Sequence, residues 1–200
     1  MLKIYGHEVS GNSFKVKLLA ALLQIEYEWI KIDLINGEQK SLEYLNRNSF
    51  AQVPTIEDGD LTLSDAQAIL VYLARKYGGE AWLPTDALNL ARVIRWLSIT
   101  AGEVRQGVEN ARLFHLFGAG TKINIERAML KSAFILNQLN QHLQDRTWLE
   151  FERPTIADVA VFPYVALARD GKIELDNYPH VLNWIERVKQ LPNFVSMTGI

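Results

Sequence analysis

Every stretch with a strand-like pattern lies before residue 64; beyond it, apolar residues recur only at helical intervals. That asymmetry excludes one sheet running through the whole chain and predicts a small α/β domain followed by an all-helical one. In the first part LKIY (2–5), followed by Gly6, reads as a buried strand. Phe14, Leu18, Leu22 and Ile25 mark a helix over 12–25, and Leu19 and Leu23 widen its apolar face. YEWIKIDL (27–34) carries the aromatic and β-branched content of a second strand. Residues 37–48 are polar and predict a short exposed helix. Pro54–Glu57 and Leu61–Leu63 flank Asp58-Gly59-Asp60, a hairpin signal. From Ser64 the residues Ala68, Ile69, Tyr72 and Leu73 predict a helix that Gly78-Gly79 ends. The order is β-α-β-α-β-β-α over residues 1–79. Residues 80–86, within GGEAWLPTD, read as a linker. The helical domain spans 87–200, with helices over 87–116 and 123–144 separated by a turn at GAGT (118–121). A third helix starts at Thr155 and a fourth follows Pro179 up to Leu191.

Composition narrows the chemistry. The net charge of −2 leaves no basic surplus for a phosphate backbone, so nucleic acid is not the expected main partner. The chain has no cysteine, which removes disulfides, thiolate metal sites and any protein thiol nucleophile. His7, His115, His142 and His180 show no metal-ligand spacing, so no metal is expected. MLKIYGHE lacks the pattern of a signal peptide, and no apolar run approaches the ~18 residues of a membrane span. A cytoplasmic protein without a membrane partner is the expectation.

Two places draw chemical interest. Gly6 to Ser13 (GHEVSGNS) has the glycine spacing of a phosphate-binding loop, but Asn12 stands where its lysine belongs. What remains is a strand-to-helix turn whose amides and dipole favour an anion, presenting Ser10, Asn12 and Ser13. The plainer reading is that Asn12 or Ser13 caps the helix. At NSFAQVP (48–54) a proline follows Val53, and a cis bond there leaves the Val53 amide and carbonyl for an extended, peptide-like ligand. Just beyond the hairpin, Ser64-Asp65-Ala66 opens a helix. Its free amides suit a carboxylate and Asp65 an ammonium group; alternatively Ser64 caps the helix and Asp65 merely complements the dipole.

Taken together, SGNSFKV (10–16), GEQK (37–40), NSFAQVP (48–54), LSDAQAI (63–69) and the helical second domain resemble the cytosolic glutathione transferases over essentially the whole chain, with theta- and phi-like members the nearest in pattern. PTIADVAVFPY (154–164) resembles the capping box and following helix of that family, with Thr155 as N-cap, Asp158 as its partner, and Pro154 and Val159 as the staple. The resemblance implies a thioredoxin-like N-terminal domain that binds glutathione.

Carried onto this chain, the resemblance implies that Val53 pairs its backbone with the cysteinyl part of glutathione, with Pro54 cis and Gln52 contacting the tripeptide. Asp65 and the Ala66 amide hold the γ-glutamyl end, and Lys40 faces the glycyl carboxylate. Ser10 occupies the place of the family's catalytic serine, while Asn12 and Ser13 stay open as alternatives for the thiolate contact. In the implied reaction the activated glutathione thiolate attacks a hydrophobic electrophile, a detoxification chemistry, with glutathione peroxidase activity as an extension. The second substrate is expected in the cleft between domains, beneath the 87–117 helix, near Trp96, Thr100, Val104, Phe114 and Phe117. A homodimer is implied, with Phe50 inserting into the partner or packing under its own loop. Several positions depart from the family's pattern. Ala66 replaces the usual serine, Gln39 a common histidine, and Ser49 and Ala51 the usual proline and glycine. These keep a second reading open, a non-catalytic ligand-binding or scaffolding member. The lack of cysteine sets the chain apart from the thiol-transferase and dehydroascorbate-reductase members, which use a cysteine nucleophile.

Overall fold

The computed structural model describes residues 1–117 and 122–200; the turn expected at 118–121 lies outside the described residues. The chain divides into two compact units. One is Met1–Leu83 with Pro192–Thr198, and the other is Pro84–Leu191 with Gly199–Ile200. Residues 192–198, which the sequence pattern groups with the helical part, therefore belong with the α/β unit.

The α/β unit follows the expected order: β1 (Leu2–Gly6), α1 (Gly11–Leu22), β2 (Tyr27–Lys31), a 3-10 turn (Glu38–Lys40), α2 (Leu42–Arg47), β3 (Thr55–Asp58), β4 (Leu61–Ser64) and α3 (Ala66–Leu73). The sheet order is β2-β1-β3-β4, with β1 parallel to β2 and antiparallel to β3. This is a thioredoxin-like βαβ unit with a mixed four-stranded sheet. Its core takes Ile4, Val16, Leu18, Leu19, Ile56, Ile69, Leu70 and Leu73, all fully buried, from both strands and helices. The close packing has a visible requirement at Gly6, where a Cβ would lie 2.9 Å from that of Ser13 and collide with the Trp29 ring. Helix α2 is tied to the sheet because Arg47 Nε reaches Glu57 Oε1 at 3.0 Å, while the Tyr5 hydroxyl donates to Glu57 Oε2 at 2.8 Å. Beyond α3 the backbone passes through π-helical residues Ala74–Gly78 into a short α4 (Gly79–Trp82). Part of the expected linker is thus helical.

The second unit is all-helical: α5 (Ala87–Ile99), α6 (Asn110–Phe117), α7 (Ile125–His142), α8 (Ile156–Ala166) and α9 (Pro179–Lys189). The helix expected over 87–116 is not uniform, for Thr100–Glu109 is π-helical. Trp96, Thr100, Val104 and Val108 are buried at strict four-residue intervals. The α-helical step from Trp96 to Thr100 overshoots a full turn by about 40°, and the wider π turns that follow drift the other way, which keeps the four near one face. Gly107 lets this segment approach α7 closely, since a Cβ there would lie 2.8 Å from the Ser132 amide nitrogen.

The capping box of α8 is present. Thr155 Oγ1 accepts the Ala157 amide at 3.2 Å, and Asp158 Oδ2 accepts the Thr155 amide at 2.9 Å. Asp158 Oδ1 also takes the Leu149 amide (3.1 Å) and Trp184 Nε1–H (3.0 Å). Burial pushes this carboxyl up to about 6 against those donors. Among the described residues no helix is long and apolar enough to cross a membrane.

Candidate functional site

Strand pairing alone brings the chemically interesting segments to one end of the sheet. Thr55, the first residue of β3, pairs with Tyr5 near the end of β1 and with Ser64 at the end of β4. Gly6 pairs with Lys31, the last residue of β2. The loop from Gly6 to Ser13, the segment following Lys31, residues 52–54 and the β4–α3 turn therefore all emerge at this edge.

The loop after β1 ends in a serine cap. Ser10 Oγ accepts the Ser13 amide at 3.1 Å, and the Ser10 carbonyl accepts that of Phe14 at 2.9 Å. The cap is thus Ser10 itself, not Asn12 or Ser13 as the spacing predicts; the chain turns helical one residue earlier, at Gly11. Among the described residues the Gly11 and Asn12 amides have no hydrogen-bond partner. Ser13 is fully buried and accepts the His7 amide at 3.3 Å, so it presents nothing to a ligand. Asn12 is half-buried and accepts from Lys15 Nζ at 2.8 Å. His7 grips the loop twice, its carbonyl accepting the Ser10 amide (3.0 Å) and its Nδ1 that of Val9 (3.2 Å). A cavity of about 260 Å³ opens beside this loop between His7, Glu8, Phe14, Trp29 and residues 196–198.

Across the edge, the Val53–Pro54 bond is cis. The Val53 side chain packs against Tyr5, Ile32 and Tyr44, and no described residue hydrogen-bonds its amide or carbonyl. Gln52 is exposed at its side chain, but its carbonyl is held by Tyr44 and Asn48. Asp65 caps α3, its Oδ1 accepting the Ala68 amide at 3.0 Å. Here too the cap is the next residue along from the Ser64 that the pattern suggests. Asp65 holds φ at 74° and ψ at 121°, outside the basins a side chain favours, a conformation costing on the order of 1–3 kcal/mol. That leaves the Ala66 and Gln67 amides, and the second carboxylate oxygen of Asp65, unpaired among the described residues. Lys40 is exposed at the end of the 3-10 turn, without a carboxylate partner among the described residues.

In the helical unit, three residues expected to line an electrophile pocket are buried instead. Trp96 donates to Glu150 at 2.6 Å and stacks edge-on against His142, Thr100 donates to the Trp96 carbonyl at 2.8 Å, and Val104 is fully enclosed. Their helical spacing reflects a core stripe. Phe114 is half-buried and Phe117 exposed, so these two retain accessible apolar surface. Phe50 is 79% exposed and does not pack under its own loop. The partners that sequence reasoning misses are Tyr44, Asn48 and Thr55. A helical stripe of a tyrosine and an asparagine four residues apart was the available signal, but it reads equally as an exposed helix.

Comparison with known proteins gives one answer. Residues 1–75 match the family model described as the glutathione S-transferase N-terminal domain, and residues 108–192 match the corresponding C-terminal domain. The disulfide-bond oxidoreductase YfcG of Escherichia coli K12 is 30% identical over 90% of this chain and 87% of its own. The crystal structure of a glutathione S-transferase from Pseudomonas fluorescens Pf-5 superposes with a TM-score of 0.92 at 27% identity, covering 98% of both chains. Another family member from that bacterium, solved with two glutathione bound, superposes at 0.85 with 26% identity over 96% of this chain and 89% of its own.

Proposed function

Because the chain belongs to the glutathione S-transferase family, we propose that it binds glutathione at the sheet edge described above and transfers the tripeptide to hydrophobic electrophiles. The observation that carries this reading is the convergence of the unpaired Val53, Ala66 and Gln67 amides with complementary charge at one edge. Val53 offers its amide and carbonyl to the cysteinyl residue as an added strand would. The Ala66 amide and the free oxygen of Asp65 take the γ-glutamyl carboxylate and ammonium groups. Lys40 faces the glycyl carboxylate, with Gln52 beside the tripeptide.

Ser10 then acts on sulfur. Its oxygen is occupied as an acceptor by the Ser13 amide, which leaves its O–H to donate. A free thiol of pKa ~8.5 is only a few per cent ionised at neutral pH. Lowering that by about two units requires about 2.7 kcal/mol, within reach of one charge-assisted hydrogen bond plus the start of α1. Asn12 stands beside Ser10 as the alternative donor. The thiolate attacks the electrophilic carbon and a carbon–sulfur bond forms. The leaving group departs with its electron pair, and the thiol proton passes to solvent. The cavity beside His7 and Glu8 offers surface to the second substrate.

A second reading draws on the relative named a disulfide-bond oxidoreductase and on the similar structure with two glutathione bound. One glutathione thiolate attacks a disulfide and displaces a thiolate; a second glutathione resolves the mixed disulfide, giving glutathione disulfide and the second thiol. Both sulfur nucleophiles come from glutathione, so a chain without cysteine can host the exchange. A homodimer completes the proposal, since Phe50, Leu88, Leu130 and Phe134 are apolar and largely exposed. Calorimetry with glutathione, followed by parallel assays with an aryl halide and with a small dialkyl disulfide, tests these readings. Binding with conjugation supports the first, and binding with glutathione disulfide formation alone supports the second. No binding at millimolar glutathione leaves a scaffold that keeps only the fold.

A further inference from the structure

The carbonyl of Gln52 is unusually well held. Tyr44 Oη donates to it at 2.9 Å and Asn48 Nδ2 at 2.7 Å, filling both lone pairs. Tyr44 has a single hydroxyl proton, and the Gln52 carbonyl can only accept. The 3.0 Å contact between Tyr44 Oη and Thr55 Oγ1 must therefore run the other way, with Thr55 donating. The result is a relay from Thr55 through Tyr44 to Gln52 that bridges Val53 and Pro54. The Asn48 amide is fixed in orientation because its Oδ1 accepts the Phe50 amide at 3.0 Å. Tyr44, Asn48 and Thr55 are all buried, and burial pushes the Tyr44 phenol up, so it stays a donor.

Peptide planarity turns this clamp into an aiming device. The Gln52–Val53 bond is trans, so the Gln52 C=O and the Val53 N–H lie in one plane and point in opposite directions. Drawing the carbonyl inward drives the amide outward. We propose that Tyr44 and Asn48 are positioning residues whose grip on the Gln52 carbonyl points the Val53 amide at the bound tripeptide. This rests on the glutathione reading above. It assigns work to residues that never touch the ligand: freeing the Gln52 peptide unit lets it rotate, and the Val53 amide is lost to the site for part of the time.

The test uses Tyr44→Phe and Asn48→Asp, with Thr55→Val, which breaks the relay at its far end. Glutathione affinity by calorimetry is paired with the response of individual backbone amides by nuclear magnetic resonance. Tyr44→Phe and Asn48→Asp are each expected to weaken glutathione about five- to twentyfold, and Thr55→Val less. In both, the glutathione-induced shift and exchange protection of the Val53 amide are lost, while those of Gly11 and Ala66 persist at saturating ligand. The pH dependence of turnover keeps its wild-type midpoint, because the Ser10 loop is untouched. Wild-type affinity and a wild-type Val53 response in both variants overturn the proposal while the glutathione reading stands. Equal loss of protection at Val53, Gly11 and Ala66 overturns it as well, because that is general loosening. If wild type itself binds no glutathione, the functional reading fails and this proposal with it.

Discussion

The Ser10 hydroxyl accepts the Ser13 amide at 3.1 Å, so the side chain that caps α1 still has its proton to give. On the proposed function, capping and thiolate stabilisation fall to one residue and can be separated by substitution. Ser10→Asp keeps a capping oxygen but has no proton to donate and adds a charge that repels the thiolate. It should fold with a melting temperature near wild type and lose most turnover. Ser10→Ala should lose turnover and in addition about 1 kcal/mol of stability through the missing cap. Melting curves beside conjugation rates check both. Wild-type turnover in Ser10→Asp would move the thiolate contact to Asn12.

On the same proposal Asp65 both caps a helix and binds ligand. Asn at this position retains the oxygen that caps Ala68 and tolerates a positive φ, but it removes the charge offered to the γ-glutamyl ammonium. Asp65→Asn should weaken glutathione about ten- to a hundredfold with stability unchanged to within about 0.5 kcal/mol. Calorimetry and denaturant titration of the same sample read the two effects. Unchanged affinity would remove Asp65 from the binding site.

Asp158 carries a pH signature of the helical unit. Its folded carboxyl is raised from 3.8 to about 6 by burial, so between those values the native state holds a proton that the unfolded chain has released. The stability this contributes is full below 3.8 and declines as pH rises through about 6, then levels. Asp158→Asn should abolish that slope. Asp158→Ala leaves the Trp184, Leu149 and Thr155 donors buried without an acceptor. At roughly 1–3 kcal/mol for each, a loss of 3 kcal/mol or more is expected from denaturant unfolding.

Phe50 tests assembly. A phenylalanine exposed to this degree is expected to be covered by a second copy. Sedimentation velocity should show a dimer for wild type and a shift toward monomer for Phe50→Ser. A monomeric wild type would contradict the homodimer.

The element order of the α/β unit was legible because strands and helices write different periods, and Asp58-Gly59 between two apolar runs fixed the hairpin. The capping box at Thr155 and Asp158 was legible because its partners lie three residues apart. The sequence misplaces both caps by a few residues. Ser10 rather than Asn12 or Ser13, and Asp65 rather than Ser64, differ only in backbone dihedrals, and serine, asparagine and aspartate all cap. The π-helical stretch was hidden because burial every four residues resembles an ordinary amphipathic helix over so short a span. Trp96, Thr100 and Val104 read as a pocket lining in the sequence because a buried stripe and a cleft lining look alike in one dimension. The clamp of Tyr44, Asn48 and Thr55 was invisible, since its members meet only after α2 has docked on the sheet through Arg47 and Glu57.

The central claim is that Ser10 and the start of α1 hold glutathione as its thiolate. An ultraviolet titration of the thiolate absorbance of bound glutathione, in wild type and in Ser10→Ala, measures this most directly. A wild-type midpoint about two units below the free thiol's ~8.5, returning toward ~8.5 in the variant, is the predicted result. A bound thiol that titrates in wild type where free glutathione does would contradict it.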